Sequence, residues 1–247
     1  MQGVHRVLSV LELVAEHQPA GVGELSRISG LPKSTVQRTL RALADAGWIR
    51  PVGREFTRWA LTPRMVTIGR RAAREGGLRE AALGPMRELR DLTHETVTLQ
   101  IPDGQHRMIL IERIDSPQPV RTFERLGATS PMPVTSAGLA LLALLPEAEA
   151  ERVLREPLPR LTARTVVDPQ LIRSAIGGIR ATGFAVNTGQ NRPGVCAVGA
   201  AVLDAAGTPV AGLGVSMPES RFDPEQVPRW GAQVRAAAAA VTAALTD

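Results

Sequence analysis

A succession of three short helices and a β-hairpin within the first 62 residues constrains this fold more than any other feature. Apolar residues recur every three or four positions across 4–15, which predicts a first helix that turns this face toward a core. A shorter second helix is predicted around the inward residues Leu25 and Ile28, and it ends at Gly30. The turn at Leu31-Pro32 then leads into a third helix.

The third helix is predicted from about Ser34 to Gly47 and has two contrasting faces. Val36, Leu40 and Leu43 follow the helical period and point inward. The outward side chains are polar or basic: Lys33, Ser34, Thr35, Gln37, Arg38 and Arg41. Hydroxyl groups and a helix N-terminus can bind phosphates, and Gln and Arg can bind base edges in the major groove of DNA. This helix is therefore predicted to recognise DNA.

Two strand-like segments, 48–52 and 56–61, flank a turn at Gly53-Arg54 and predict the hairpin. Three helices followed by such a hairpin form the plan of a winged helix-turn-helix domain. The basic side chains outside the third helix that could contact the DNA backbone are Arg6, Arg27, Arg50, Arg54 and Arg58. We predict a winged helix-turn-helix domain over 1–62 that binds double-stranded DNA.

The distribution of charge favours the same interpretation. Residues 1–80 contain 13 Lys and Arg against 7 Asp and Glu, a net charge of +6. The rest of the chain has 16 of the 29 basic residues and 17 of the 24 acidic ones, a net charge of −1. A general enrichment in arginine would not confine the excess to one end. The pattern indicates a polyanion-binding module joined to a domain with another role.

The pattern changes after the hairpin. Pro63 opens a helix that ends near Gly76-Gly77, and we interpret 63–77 as a linker helix. The remaining 78–247 mix helical and antiparallel strand patterns, which predicts an α+β domain with sandwich-like layers. The predicted helices are 79–94, 136–145, 147–155, 169–182 and 224–245. The predicted strands are 96–101, 108–114, 121–126, one beginning at 184, and a hairpin of 195–203 with 210–216.

The sequence argues against catalysis, a metal site and a membrane segment. Its histidines, at positions 5, 17, 94 and 106, have no sequence relation to a candidate nucleophile, and no phosphate-binding loop, metal-ligand spacing or GxSxG motif is present. Cys196 is the single cysteine, which excludes an intramolecular disulfide. The longest apolar stretch is too short to span a bilayer. We expect a cytoplasmic protein that is not an enzyme and uses no cofactor.

The segment Leu31-Pro32-Lys33-Ser34-Thr35-Val36-Gln37-Arg38 resembles the recognition-helix signature of the IclR family of bacterial transcriptional regulators. The similarity continues along the chain at Leu61-Thr62-Pro63-Arg64, Glu95-Thr96-Val97, Ser116-Pro117-Gln118, Thr135-Ser136-Ala137-Gly138, Leu158-Pro159-Arg160-Leu161-Thr162, Gly183-Phe184-Ala185-Val186 and Pro193-Gly194-Val195. The resemblance implies a GAF-like effector-binding domain, homodimers or dimers of dimers, and a small organic effector that alters binding to a pseudo-palindromic operator.

The resemblance also implies an effector site in the second domain. Ser136, Ala137 and Gly138 correspond to a helix start that faces the ligand, where free N–H groups suit a carboxylate. The other corresponding positions are Phe123, Leu126, Met132, Asn187, Ala197, Gly214 and Ser216. Cys196, next to Ala197, is expected to face the other way.

Several of these positions are less polar than is common in the family. Leu139, Val134, Ala197 and Gly214 stand where lysine, cysteine, cysteine and serine are frequent. We therefore expect a less polar ligand, such as an aromatic metabolite with one carboxylate.

Two alternatives stay open. Side chains could fill the cavity, which would leave a DNA-binding regulator of the same fold without an effector response. The chain could also be a structural DNA-binding protein, with a steep salt dependence and little sequence preference. The sequence is compatible with a repressor and with an activator.

Overall fold

The structure is a computed structural model, and it describes residues 2–53, 56–74 and 77–246. The contacts between residues divide the chain into two compact units, Met1–Glu75 and Gly76–Asp247. Each unit has a hydrophobic core of its own. The predicted combination of a helix-turn-helix domain with an α+β domain is confirmed.

The first unit contains the predicted three helices and hairpin. Its elements are α1 (Gln2–His17), α2 (Val22–Ser29), α3 (Lys33–Asp45), β1 (Ile49–Val52), β2 (Arg58–Leu61) and α4 (Arg64–Arg74). β1 and β2 pair antiparallel, and a further bridge joins Ala20 to Trp59. The core is built on Val14, Leu25 and Leu40, which are completely buried. The hairpin is thus attached to the helical bundle through the segment that joins α1 and α2.

Two details of the predicted helical faces are wrong. In α1 the buried residues are Val10, Leu11 and Val14, whereas Val4 and Leu8 at its start are exposed. Ile28 was expected to point inward but is also exposed. α2 has only eight residues, and Leu25 is its one buried side chain.

The second unit is built on one six-stranded antiparallel sheet with the order β5-β4-β3-β8-β7-β6. The strands are β3 (Thr96–Pro102), β4 (Arg107–Ile114), β5 (Thr129–Pro131), β6 (Ala185–Thr188), β7 (Val195–Leu203) and β8 (Pro209–Pro218). The helices are α5 (Leu78–Thr93), α6 (Ser136–Leu142), α7 (Glu147–Arg155), α8 (Pro169–Thr182) and α9 (Val227–Thr246). α5 and α9 share one core with the sheet, and α6, α7 and α8 form another.

The ends of α8 agree with the prediction because capping residues fix both of them. Asp168 accepts a hydrogen bond from the Gln170 amide at 2.8 Å, and Pro169 follows as the first helical residue. Gly183 ends the helix with a left-handed φ of 78°. These three residues are readable from sequence, since each cap depends on one residue type.

The predicted strand over 121–126 is wrong: this segment is a loop, and the strand that pairs with the outer side of β4 is β5. We call 120–126 the cavity loop, because Thr122, Phe123 and Glu124 line a cavity of this unit. Its carbonyl groups accept hydrogen bonds from arginine side chains instead of a neighbouring strand. Arg221 donates to Val120, Arg192 donates to Phe123, and Arg113 donates to Glu124. Side chains distant in sequence thus satisfy the backbone that a strand would otherwise pair.

Other differences are smaller. α6 ends at Leu142 rather than at 145, and Leu92, predicted inward, is 61% exposed. α4 covers most of the predicted linker helix, whose role as a linker stays a prediction. Over the part of the chain that the structure describes, the helices are too short or too polar to cross a membrane.

Candidate functional site

α3 presents one exposed polar face. Lys33, Ser34, Gln37, Arg38 and Arg41 are exposed and Thr35 is half-buried, whereas the opposite face carries the buried Val36, Leu40 and Leu43. The residue before the helix is Pro32, whose side chain has no acceptor that could cap the first amide groups. The structure therefore brings the six predicted outward residues of this helix together on one side, beside a helix N-terminus.

The turn before α3 is fixed by the serines of α2. Ser26 donates a hydrogen bond to the carbonyl of Leu31 at 2.6 Å, and Ser29 accepts one from the Leu31 amide at 3.2 Å. Gly30 has a φ of 69°, a left-handed conformation that favours glycine. These contacts set the angle between α2 and α3, which is the geometry that places a recognition helix against DNA.

The basic residues outside α3 differ in what they contact. Arg58 is committed within the unit: its Nε donates to the carbonyl of Pro19 and its Nη2 pairs with Glu24, both at 2.8 Å. This arrangement favours a structural role for Arg58 over the predicted DNA contact. Arg54 lies outside the described residues. The exposed basic residues predicted near DNA are Arg6, Arg27 and Arg50.

A small cavity in the second unit lies between the sheet, the start of α6 and the cavity loop. Its volume is about 70 Å³. The residues that line it are Thr96, Thr98, Gln100, Arg113, Thr122, Phe123, Glu124, Thr135, Ser136, Ala137, Asn187, Asn191, Arg192, Val195, Ala197 and Ser216. We call it the polar cavity.

Six of the ten residues predicted for the effector site line the polar cavity: Phe123, Ser136, Ala137, Asn187, Ala197 and Ser216. Leu126 is exposed, and Met132 is buried in the core beneath α6 to α8. Cys196 is buried against the opposite core, as expected from its neighbour Ala197. Burial raises the pKa of the Cys196 thiol, so it is a poor nucleophile.

Two of the predicted effector-site residues are glycines, and the absence of a side chain leaves space for neighbouring groups. A Cβ atom on Gly138 would lie within 3 Å of the Met132 carbonyl carbon and oxygen, so this glycine allows close packing of backbones. A Cβ atom on Gly214 would lie 3.0 Å from the Thr98 hydroxyl and 3.6 Å from that of Ser136. Gly214 therefore makes room for the hydroxyl groups of the cavity.

The expectation of a less polar ligand stays a prediction, but the cavity wall also carries polar residues outside the predicted positions. Thr96, Thr98 and Gln100 alternate along β3 and place hydroxyl and amide groups on the wall. Sequence reasoning missed these residues, although a period of two between polar and apolar residues was visible in β3. It also missed Arg113, whose guanidinium lies 4.1 Å from the ring centroid of Phe123. This arginine comes from another strand, and no sequence pattern connects it to the cavity.

The hydrogen bonds of the cavity leave one buried acceptor free. The Asn187 amide is occupied on both sides, since it donates to the carbonyl of Val134 and accepts from the Gln190 amide. Thr135 accepts from the Gly138 amide at 2.9 Å and so caps α6. Gln100 is only 8% exposed, and its Oε1 has no hydrogen-bond partner among the described residues.

Within 2–53, 56–74 and 77–246, no three His, Cys, Asp or Glu residues are grouped so that they could hold a metal ion. The polar wall of the cavity has hydroxyl, amide and guanidinium groups, which are suited to hydrogen bonding with an organic molecule.

A helix-turn-helix unit with an exposed basic helix, joined to an α+β unit that encloses a polar cavity, defines a DNA-binding transcriptional regulator. Residues 3–53 match the IclR helix-turn-helix domain, and 71–243 match the domain described as "Bacterial transcriptional regulator IclR C-terminal". The chain belongs to the IclR family.

Known relatives extend over nearly the whole chain. The HTH-type transcriptional regulator KdgR of Escherichia coli (strain K12) is 29% identical over 98% of this chain and 92% of its own length. The acetate operon repressor of Salmonella typhimurium is 30% identical over 99% and 90%. The crystal structure of an IclR homolog complexed with 4-hydroxybenzoate, from Microbacterium hydrocarbonoxydans, has a TM-score of 0.81, with 23% identity over 98% of each chain.

Proposed function

We propose that this regulator binds a small organic effector in the polar cavity, and that the effector alters binding to a DNA operator. The observation that carries the proposal is the free Oε1 of Gln100. A buried polar group without a partner costs about 1–3 kcal/mol, so such groups in native proteins usually have a ligand, an ion or a water to bind. A hydrogen-bond donor of the effector would satisfy this acceptor.

The wall of the cavity favours a small polar acid. Thr98, Ser136 and Ser216 offer hydroxyl groups. Arg113 adds a guanidinium that is already paired with Asp115, at 2.5 Å from Nε to Oδ1. A molecule that has both a carboxylate and hydroxyl groups could use all of these groups. The 4-hydroxybenzoate bound by the Microbacterium homolog has both.

The cavity must enlarge to hold such a molecule. Ligand sites usually have volumes of about 300–1,000 Å³, and the polar cavity has about 70 Å³. The cavity loop is the wall best able to move because arginine side chains, rather than a strand ladder, hold its carbonyl groups. We propose that ligand binding displaces this loop.

The DNA-binding form is proposed to be a dimer, or a dimer of dimers, on a pseudo-palindromic operator. α1 exposes Val4 and Leu8, and α4 exposes Val66 and Ile68. Exposed apolar residues on two helices of one unit favour self-association through them. Effector control then requires that the ligand bind one arrangement of the two DNA-binding units more tightly than another.

Calorimetric titration of the full chain with 4-hydroxybenzoate and with small hydroxy acids tests the effector site. We expect Gln100→Leu, which keeps the size of the side chain, to weaken binding about tenfold because one buried hydrogen bond is lost. Gln170→Leu is the matched control, since Gln170 is exposed on α8. If none of the acids binds, and none of them changes operator binding, the result would instead favour a regulator that has lost its effector response.

Binding to operator fragments tests the recognition face. Arg38→Ala is expected to weaken binding by about 1–3 kcal/mol and to relax specificity at one base pair. Lys33→Ala should weaken binding to all sequences and reduce the slope of the salt dependence by about one. Fluorescence anisotropy at several salt concentrations measures both effects. A variant Arg38→Ala that binds as the parent does would remove Arg38 from the reading face.

A further inference from the structure

A second and larger cavity lies in the second unit, between the corner that joins β4 and β5, the end of α7 and the start of α8. Its volume is about 530 Å³, which is within the usual range of about 300–1,000 Å³ for ligand sites. Glu124, Asn191 and Arg192 line both this cavity and the polar cavity. It is otherwise formed by different residues, and the proposed function does not use it.

The walls of this cavity combine prolines and aliphatic residues with polar and charged ones. Five prolines line it: Pro131, Pro133, Pro157, Pro159 and Pro169. Because proline fixes its own φ, walls of this kind are preformed and lose little conformational freedom when a ligand binds. Leu154, Leu158, Leu161 and Ile172 add aliphatic surface. We call this site the proline-walled cavity.

The charged residues on its wall are unevenly paired. Glu124 pairs with Arg192, with an Oε1–Nη2 distance of 2.5 Å. Glu156 Oε1 lies 2.8 Å from Nδ1 of His106, within hydrogen-bond distance. Arg107 is different, since its guanidinium donates to the hydroxyl of Thr129. Among the residues that the structure describes, no carboxylate lies within ion-pair distance of that guanidinium. Within the described part of the chain, Arg107 is therefore the arginine of this wall without a carboxylate partner, whereas the partner of Glu156 is a histidine that is charged only when protonated.

We propose that the proline-walled cavity is a binding site for an amphipathic monocarboxylate. The carboxylate would lie at Arg107, where Thr129 and Ser130 add hydroxyl donors, and the apolar body would lie against Leu154, Leu158 and Ile172. A guanidinium attracts a carboxylate because it presents a fork of N–H donors that matches the two oxygens. Burial of each CH₂ group of the body adds to the affinity.

The common wall connects the two sites. The Glu124–Arg192 ion pair separates the cavities, and Arg192 also donates to the Phe123 carbonyl of the cavity loop. A ligand that moves Arg192 from one side would change the shape of the other cavity. Binding at the proline-walled cavity is therefore expected to alter affinity at the polar cavity, and the reverse follows by linkage.

Calorimetric titration of the full chain with octanoate tests the site, with 1-octanol and acetate as comparisons. Octanol lacks the charge and acetate lacks the apolar body, so each should bind at least about tenfold more weakly than octanoate. Arg107→Gln should reduce the affinity for octanoate to that for octanol. This result would show that the carboxylate lies at Arg107.

A matched pair of variants locates the bound octanoate. Leu161 and Leu171 are 43% and 59% exposed, so both tolerate a polar side chain, but only Leu161 lines the proline-walled cavity. Leu161→Glu should abolish octanoate binding because it adds a negative charge to the wall, and Leu171→Glu should bind as the parent does. Circular dichroism of both variants confirms that they fold.

Five outcomes would overturn the proposal. Four of them are absence of octanoate binding, equal binding of octanoate and octanol, equal effects of the two glutamate variants, and a change of oligomeric state on Leu161→Glu, which would make the cavity an interface between chains. Loss of octanoate binding in Gln100→Leu would also overturn it, since the ligand would then lie in the polar cavity. The proposed effector function would survive each of these results, because its own test uses other ligands and Gln100.

Discussion

The two units of this chain place their candidate functional residues in opposite ways. In the first unit they lie on the exposed face of one helix, α3, and come from nine consecutive positions. In the second unit they surround a cavity and come from β3, β4, the cavity loop, α6, β6, β7 and β8. A site on one helix needs only that the helix be packed correctly. A site inside a fold needs every contributing element to be in its place, so the second unit should be the more sensitive to small changes of packing.

Removal of core volume from the first unit is the most severe test of this comparison. Leu40 is completely buried beneath the recognition face, and Leu40→Ala should destabilise the unit by about 2–5 kcal/mol because it leaves a cavity in a small core. Operator binding should then fall steeply, while ligand binding by the second unit should persist. Hydrogen exchange followed by mass spectrometry reports the stability of each unit separately.

The exposed neighbour of Leu40 provides the control. Gln37→Ala on the same helix should leave the exchange rates of α3 nearly unchanged and weaken operator binding alone. If Leu40→Ala also abolished ligand binding, the two units would not be independent in stability, and the comparison would fail.

The same contrast explains what the sequence could and could not predict. The faces of α3 follow from Val36, Leu40 and Leu43, which repeat with the period of a helix, and the bounds of α8 follow from its caps. The cavity loop was mistaken for a strand because its carbonyl groups are bound by Arg113, Arg192 and Arg221, which lie far from it in the chain. Contacts of this kind depend on the finished fold, so local periodicity does not contain them.

The polar cavity shows the same limit of prediction from sequence. Ser136, which lies in a quoted motif, and Asn187, which directly follows one, both line this cavity. The positions that the resemblance supplied are only part of its wall. Thr96, Thr98 and Gln100 of β3 supply much of the polar surface.

The packing of α6 against the sheet of the second unit gives a test whose expected effect is of intermediate size. A Cβ atom on Gly199 of β7 would lie 2.6 Å from the Ala137 nitrogen and 2.6 Å from the Ser136 carbonyl carbon. Because these are backbone atoms, Gly199→Ala should push α6 away and cost about 1–3 kcal/mol. Ligand binding in the polar cavity should weaken as well, since Ser136 and Ala137 form part of its wall. Hydrogen exchange in β7 and calorimetric titration measure the two effects.

Gly177→Ala is the matched control, because a Cβ atom at Gly177 in α8 would have open space around it. This change should stabilise α8 by about 0.5–1 kcal/mol through helix propensity and leave ligand binding alone. Equal effects of the two substitutions would mean that α6 can adjust its position freely. The second unit would then be less sensitive to packing than the comparison states.

The smallest expected effect concerns Arg58, the residue for which the sequence and the structure suggest different roles. Its bonds to Glu24 and Pro19 connect the hairpin to the helices. Exposed ion pairs contribute only about 0.2–1 kcal/mol, so Arg58→Ala and Glu24→Gln should each lower the unfolding free energy by an amount in this range. The double variant should lose less than the sum of the two because they remove the same interaction.

If Arg58 contacts phosphate instead, Arg58→Ala alone should change operator binding. The slope of the logarithm of affinity against the logarithm of salt concentration should then fall by about one, and Glu24→Gln should not weaken binding. Denaturant unfolding and salt titrations of these variants therefore decide whether the hairpin contacts DNA through Arg58 or uses it to hold its place in the unit.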